Sequence, residues 1–172
     1  MQGIHPVTPE VYYADETDVV VAGPEVIDFL KAEAARQPRR RCRLCLHDGV
    51  ENTLHEMLIV HEKHTFVPPH KHLGKSESFH VVEGDMAVLL FDDQGGLERV
   101  IRLSAPGGEH AFCYRLGAQK FHSLIPLSDW VVFHEVANGP FNRDDMIFAD
   151  WAPQEGDQAA GAAFVGSMLQ RL

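Results

Sequence analysis

The chain has 172 residues, 45% apolar and 23% charged, which is the composition of one ordinary globular domain and excludes wholesale disorder. Fifteen Lys and Arg against 25 Asp and Glu leave a formal net charge of -10, the wrong sign for a protein that must neutralise nucleic-acid phosphates. No apolar run approaches the roughly 18 residues of a membrane span, and residues 1–6 lack the basic and apolar stretches of a secretory signal, so a cytoplasmic protein with small-molecule partners, no nucleic acid and no membrane is expected.

In chain order, Val26, Ile27, Leu30 and Ala34 recur on one helical face behind Pro24, which predicts a helix over 24–36. A basic run follows, with Arg36, Arg39, Arg40, Arg41 and Arg43 close together. These arginines either decorate the helix C-terminus or, for Arg41 and Arg43, share a strand face and receive an anionic group. From residue 42 to 151 the chain breaks into short Val, Ile, Leu and Phe stretches punctuated by Gly, Pro, Asp and Asn. Strands are predicted over 42–47, 54–61, 78–83, 86–91, 97–103, 111–116, 121–125 and 130–136. Asp92-Asp93-Gln94-Gly95-Gly96 supplies a hairpin loop and Glu83-Gly84-Asp85 a tight reversal. Strands so spaced suggest a sandwich or barrel. The division expected is an N-terminal arm and helix over 1–41, a β domain over 42–153, and a tail over 154–172 that frays or docks on a neighbouring chain.

Eleven histidines are unusual for this length, and seven of them lie between His47 and His80. Imidazole is the commonest metal ligand and titrates near neutrality. The informative stretch is His70-Lys71-His72-Leu73-Gly74-Lys75-Ser76-Glu77, continuing to Gly84. On extended backbone, His70 and His72 point to the same face. Gly74 lets the chain reverse, and Glu77 then returns a carboxylate toward the same point.

This spacing, HxH, four residues, Glu, six residues and Gly, resembles the first motif of the cupin superfamily. The resemblance implies a mainly β fold, a double-stranded β-helix or cupin jelly roll with a short N-terminal helix. It also implies one divalent transition metal ion, Zn, Fe, Mn or Ni, held by His70, His72 and Glu77, with a fourth ligand from a later strand. His122, in Phe121-His122-Ser123-Leu124, is the first choice for that ligand and His110, beside the Pro106-Gly107-Gly108 loop, its rival. A narrower likeness runs through Cys45-Leu46-His47, Leu54-His55-Glu56-Met57, Lys75-Ser76-Glu77-Ser78-Phe79-His80, His122-Ser123-Leu124-Ile125-Pro126, Val132-Phe133-His134-Glu135 and Asn138-Gly139-Pro140-Phe141. These strings look like those of the WbuC family of bacterial cupin-fold metalloproteins, whose name comes from polysaccharide, O-antigen, gene clusters.

The other signals read more plainly. His55, His61 and His80 are expected to turn outward or into hydrogen bonds, and His134 to line the pocket without being a ligand. Cys42 and Cys45 have no second pair to complete a zinc site and fall on opposite sides of a strand, so they read as small buried hydrophobes. Glu83, Ser78, Ser123 and Tyr114 fit strand hydrogen bonding as well as proton transfer. The function expected is a mononuclear metalloenzyme acting on a small polar or sugar-derived substrate; the alternative is a non-catalytic metal-dependent binding or sensor module. A homodimer is expected from the open sheet edges and the apolar tail.

Overall fold

A computed structural model describes residues 1–16 and 18–172. Helix α1 (Pro24–Ala34) starts with proline in its first turn and buries Val26, Leu30 and Ala34. The apolar runs form strands β3 (Arg41–Cys45), β4 (Leu54–Glu62), β6 (Glu77–Glu83), β7 (Asp85–Phe91), β8 (Leu97–Ser104), β9 (Cys113–Leu116), β10 (Phe121–Pro126) and β11 (Trp130–Asn138). Three short strands add to the expected set. They are β1 (Ile4–Thr8) and β2 (Val11–Ala14), which form a hairpin, and β12 (Met146–Phe148). Strand β5 is the three-residue segment His70–His72.

The strands form two sheets, of order β1-β2-β3-β4-β11-β6-β9 and β12-β5-β10-β7-β8. Among the described residues every strand-to-strand pairing is antiparallel except β2 with β3, and an isolated parallel bridge joins Leu103 to Ala111. The sheets face each other across a core to which the first contributes Ile59, Phe79, Val81 and Phe133 and the second Met86, Val88, Leu90 and Leu124. The outer face of the first sheet, through Leu44, Leu58, Val60 and Val132, is covered by α1. This is the double-stranded β-helix.

The segment 154–172 does not fray. It forms helix α2 (Gln158–Leu169), opened by Asp157, whose side chain accepts from Ala160 N at 3.0 Å. Val165 and Met168 pack onto the outer face of the second sheet against Ala87, Leu89, Phe91 and Ile125. The tail therefore joins this chain's own core and supplies no motive for docking elsewhere. This packing also explains the unbroken apolar run from Met86 to Phe91: β7 is buried on both faces, so it shows no alternation.

Gly84 carries the chain from β6 in one sheet to β7 in the other at φ 77°. A Cβ there would collide with the Trp130 carbonyl, so the reversal requires glycine on two counts. Among the described residues no helix is long and apolar enough to cross a membrane.

Candidate metal centre

The His-Lys-His segment lies on extended backbone, with β10 on one side and β12 on the other; His70 is opposite His122, and His72 opposite Met146. Alternation sends Lys71 to the outer face, where its ammonium pairs with Asp93 at 2.9 Å and sits 4.3 Å from the Phe121 ring centroid. The two flanking imidazoles face inward and meet His122. Ring centroids are separated by 5.0 Å for His70 and His72, 4.4 Å for His70 and His122, and 5.7 Å for His72 and His122. One nitrogen from each of the three rings lies within 4.8 Å of the others. Gly74, at φ 67°, then turns the chain toward the first sheet, where Glu77 opens β6. Its buried carboxylate reaches back to His122 Nε2 at 2.9 Å and His72 Nε2 at 3.4 Å.

The outward nitrogens fix the tautomers. His70 Nδ1 stands 2.9 Å from the Pro68 carbonyl and His122 Nδ1 3.0 Å from the Lys120 carbonyl. A carbonyl only accepts, so both Nδ1 atoms donate and Nε2 is the nitrogen each ring has free for the site. Burial first, then repulsion from His122, pushes the His70 pKa down to about 3, keeping that ring neutral. Burial also pulls the His122 value down, but the Glu77 carboxylate outweighs it and raises it. For Glu77 burial works upward, and His122 with His72 more than reverses it, holding the carboxyl below its usual range. Although His122 Nε2 and Glu77 Oε1 are neighbours, neither is aligned in a hydrogen bond. Two buried polar atoms left this way are costly, and a cation between them would satisfy both. The donors present, three imidazoles and one carboxylate, suit a divalent transition ion.

These groups form one wall of a cavity of about 370 Å³, which Ile59, Phe79 and Phe133 line with apolar surface. The His110 backbone N–H donates to Ser104 Oγ in an exposed loop, and His110 is not among the gathered histidines. His134 is not in the cavity wall; its ring lies beside His80, and its Nε2 is 4.0 Å from Glu56. The inward residues of β11 are Phe133 and Glu135, because alternation runs one residue out of step with that expectation. Glu135 is thus a site residue the sequence did not single out. Burial first and then the nearby Glu77 charge push its pKa up to about 8.

The other expected outward residues differ among themselves. His61 is buried and lines the cavity, with its pKa driven down to about 3 by burial and by Arg41 and Arg43. His55 stacks on His47 at 4.2 Å and donates to the Val50 carbonyl. Ser123 donates to the Val67 carbonyl at 2.7 Å. Cys42 packs toward α1 and Cys45 into the inter-sheet core. Of the arginines, Arg36 pairs with Glu33 and Arg40 with Glu62, while Arg39 and Arg41 share Glu10 and Glu155 at the cavity edge.

A family model described as a domain of unknown function, DUF6016, matches residues 23–103, just under half of the chain. No curated protein matches the chain in sequence. Among solved structures, L-ribose isomerase from Cellulomonas parahominis, solved with L-psicose, is 17% identical over 71% of this chain and 72% of its own, with a TM-score of 0.51. Protein SO0799 from Shewanella oneidensis is 9% identical over 73% of this chain and 77% of its own, also at 0.51. The capsular polysaccharide assembling protein CapF from Staphylococcus aureus is 19% identical over 55% of this chain, with a TM-score of 0.45, and the chain spans only 26% of its length. Such identities speak to fold alone. The chain is a double-stranded β-helix protein of cupin architecture, and its His70, His72 and His122 form a group that can hold a metal ion.

Proposed function

We propose that the protein is a mononuclear metalloenzyme. In this reading His70, His72, His122 and Glu77 hold one divalent transition ion, Zn, Fe, Mn or Ni, and a small polar or sugar-derived substrate binds in the adjoining cavity. The observation that carries the reading is the convergence of three imidazole nitrogens beside a buried carboxylate that lacks an aligned hydrogen bond. When bound, such an ion supplies Lewis acidity toward a carbonyl or a bound water.

The chain's own residues do the rest. The Pro68 and Lys120 carbonyls orient two of the rings. Phe79 and Phe133 exclude water from one side of the cavity. Glu135 lines the same cavity and holds or releases a proton at its carboxylate oxygens. The strings similar to the WbuC family support a place in polysaccharide, O-antigen, biosynthesis. A cytoplasmic homodimer belongs to the same reading, on the strength of the open edges at β1, β9, β8 and β12; sedimentation at several concentrations tests the dimer.

The deciding experiment is elemental analysis of protein purified from its own host without added metal, with mass spectrometry of any co-purified small molecule. About one transition ion per chain is expected, together with a molecule that the protein converts. Metal-free protein with full activity would overturn the reading, and a ligand recovered chemically unchanged after prolonged incubation would make it a binding module.

A further inference from the structure

Strand β3 places two charges where a β-helix ordinarily has apolar side chains. Its alternate residues Cys42 and Leu44 pack under α1, while Cys45 faces the inter-sheet core. Arg41 and Arg43 share the inward face with Cys45 and line the same cavity as the histidines. A guanidinium on that face is either spent on the chain's own carboxylates or left open to a ligand. Arg41 is partnered, through Glu155 and Glu10, and so is Arg39. Arg43 is exposed where it lines the cavity, and among the described residues no carboxylate lies within ion-pair distance of it, nor of Arg143, the cavity's fourth arginine, which is exposed as well.

Charge counting points the same way. The cavity is lined by four arginines and four glutamates, whereas the chain as a whole carries a net charge of -10. A divalent ion at the histidines would add positive charge to that lining. One guanidinium whose five donors form a planar fork matches a carboxylate in two parallel hydrogen bonds.

We infer that the cavity takes a small hydroxy acid, whose carboxylate is received by Arg43 while its hydroxylated end faces His70, His72 and His122. The inference rests on the metalloenzyme reading for the second contact and stands apart from it for the first. Arg43 is then a specificity-determining residue that separates acids from the corresponding neutral polyols.

The test compares D-gluconate with D-glucitol, which keep the same six-carbon chain and differ at the carboxylate. Calorimetric titrations are run on zinc-loaded wild type, Arg43→Gln and Arg43→Lys, with L-malate as a shorter acid, inorganic phosphate as another anion, and zinc content measured on each sample. Wild type is expected to bind gluconate or malate at least about tenfold more tightly than glucitol, in line with a charge-assisted pair. Arg43→Gln should erase that preference at unchanged zinc content, and Arg43→Lys should keep part of it. A preference that survives Arg43→Gln, binding of phosphate but of neither acid, or no binding of either acid overturns the inference. Failure to take up zinc overturns the metalloenzyme reading instead, while the Arg43-dependent preference is still read on the metal-free protein.

Discussion

Replacing His72 with alanine separates the ion from the fold. The His72 side chain is 22% exposed at the cavity wall, whereas His122 is 4% exposed, so His72→Ala removes a donor without hollowing the core. Metal-free stability should therefore change by less than about 1 kcal/mol. An ion supplied at a thousand times its Kd stabilises wild type by about 4 kcal/mol, which for a domain of this size raises Tm by about 8–16 °C. Losing one of three imidazole ligands should weaken the ion by at least about a hundredfold, more than the loss of an outer partner costs. That removes about 2.7 kcal/mol, or about 5–11 °C of the metal-induced rise. Differential scanning calorimetry of chelator-treated protein, with and without added zinc, measures both quantities. An equal zinc-induced rise in wild type and His72→Ala, or none in wild type, would refute the assignment of these rings to an ion.

Three further outcomes are expected. In α2, Gly166 has open space where a Cβ would go, while a Cβ on Gly161 would lie 2.6 Å from Phe66 Cδ1. Gly166→Ala should accordingly stabilise the protein by up to about 1 kcal/mol and Gly161→Ala destabilise it by about 1–2 kcal/mol in urea melts; equal effects would mean that α2 is not docked as described. His61 is ordinarily expected at pKa 6.5 and is depressed to about 3 by burial. The unfolded chain thus binds its proton first, and stability is full above pH 6.5 and declines as pH falls toward 3. Between pH 6 and 5 this one group should contribute a loss of about 1 kcal/mol that His61→Phe abolishes, and an unchanged slope in the metal-free variant would contradict its burial. Cys113 is exposed, while Cys42 and Cys45 are buried and burial pushes the Cys42 thiol up to about 12. One thiol per chain should therefore react quickly with a disulfide reagent, and three after denaturation.

The parts of the fold legible in the sequence were those whose local signals agreed with their tertiary setting. Trp130 to Val136 and Leu54 to His61 carry apolar residues between turn residues, and they pair as neighbours in the first sheet. The hairpin loop after Phe91 announces itself through Asp92, whose side chain accepts from the Gln94 and Gly96 amides. The β1 strand was not legible because Pro6 and its exposed neighbours read as a loop, which only an edge position tolerates. Helix α2 escaped because its contacts use Gly161, Val165 and Met168 among alanines and glycines, so little contrast separates its two sides. Its capping Asp157 and the i, i+4, i+7 spacing were the available signals.

At the site, the His70 and His72 alternation and the turn at Gly74 are local, and their geometry could be read from spacing. Glu135 was not, because Val131, Val132 and Phe133 are all buried, and a run buried on both faces hides which residue points inward. The free state of Arg43 was equally out of reach, since it depends on Glu10 and Glu155, far away in the chain, being spent on Arg39 and Arg41.

The seam between β5 and β10 has a consequence for assembly of the barrel. Among the described residues its only pairing is His122 with His70, so few backbone bonds oppose sliding there. Because β10 is held by its six-residue ladder with β7, a slip by one position would move β5, bring Phe121 or Ser123 opposite His70 and turn His70 out of the interior. An ion gripped by both rings would act as a rivet that accepts a single alignment, so newly made chains that close the seam wrongly would be recognisable by their inability to retain it.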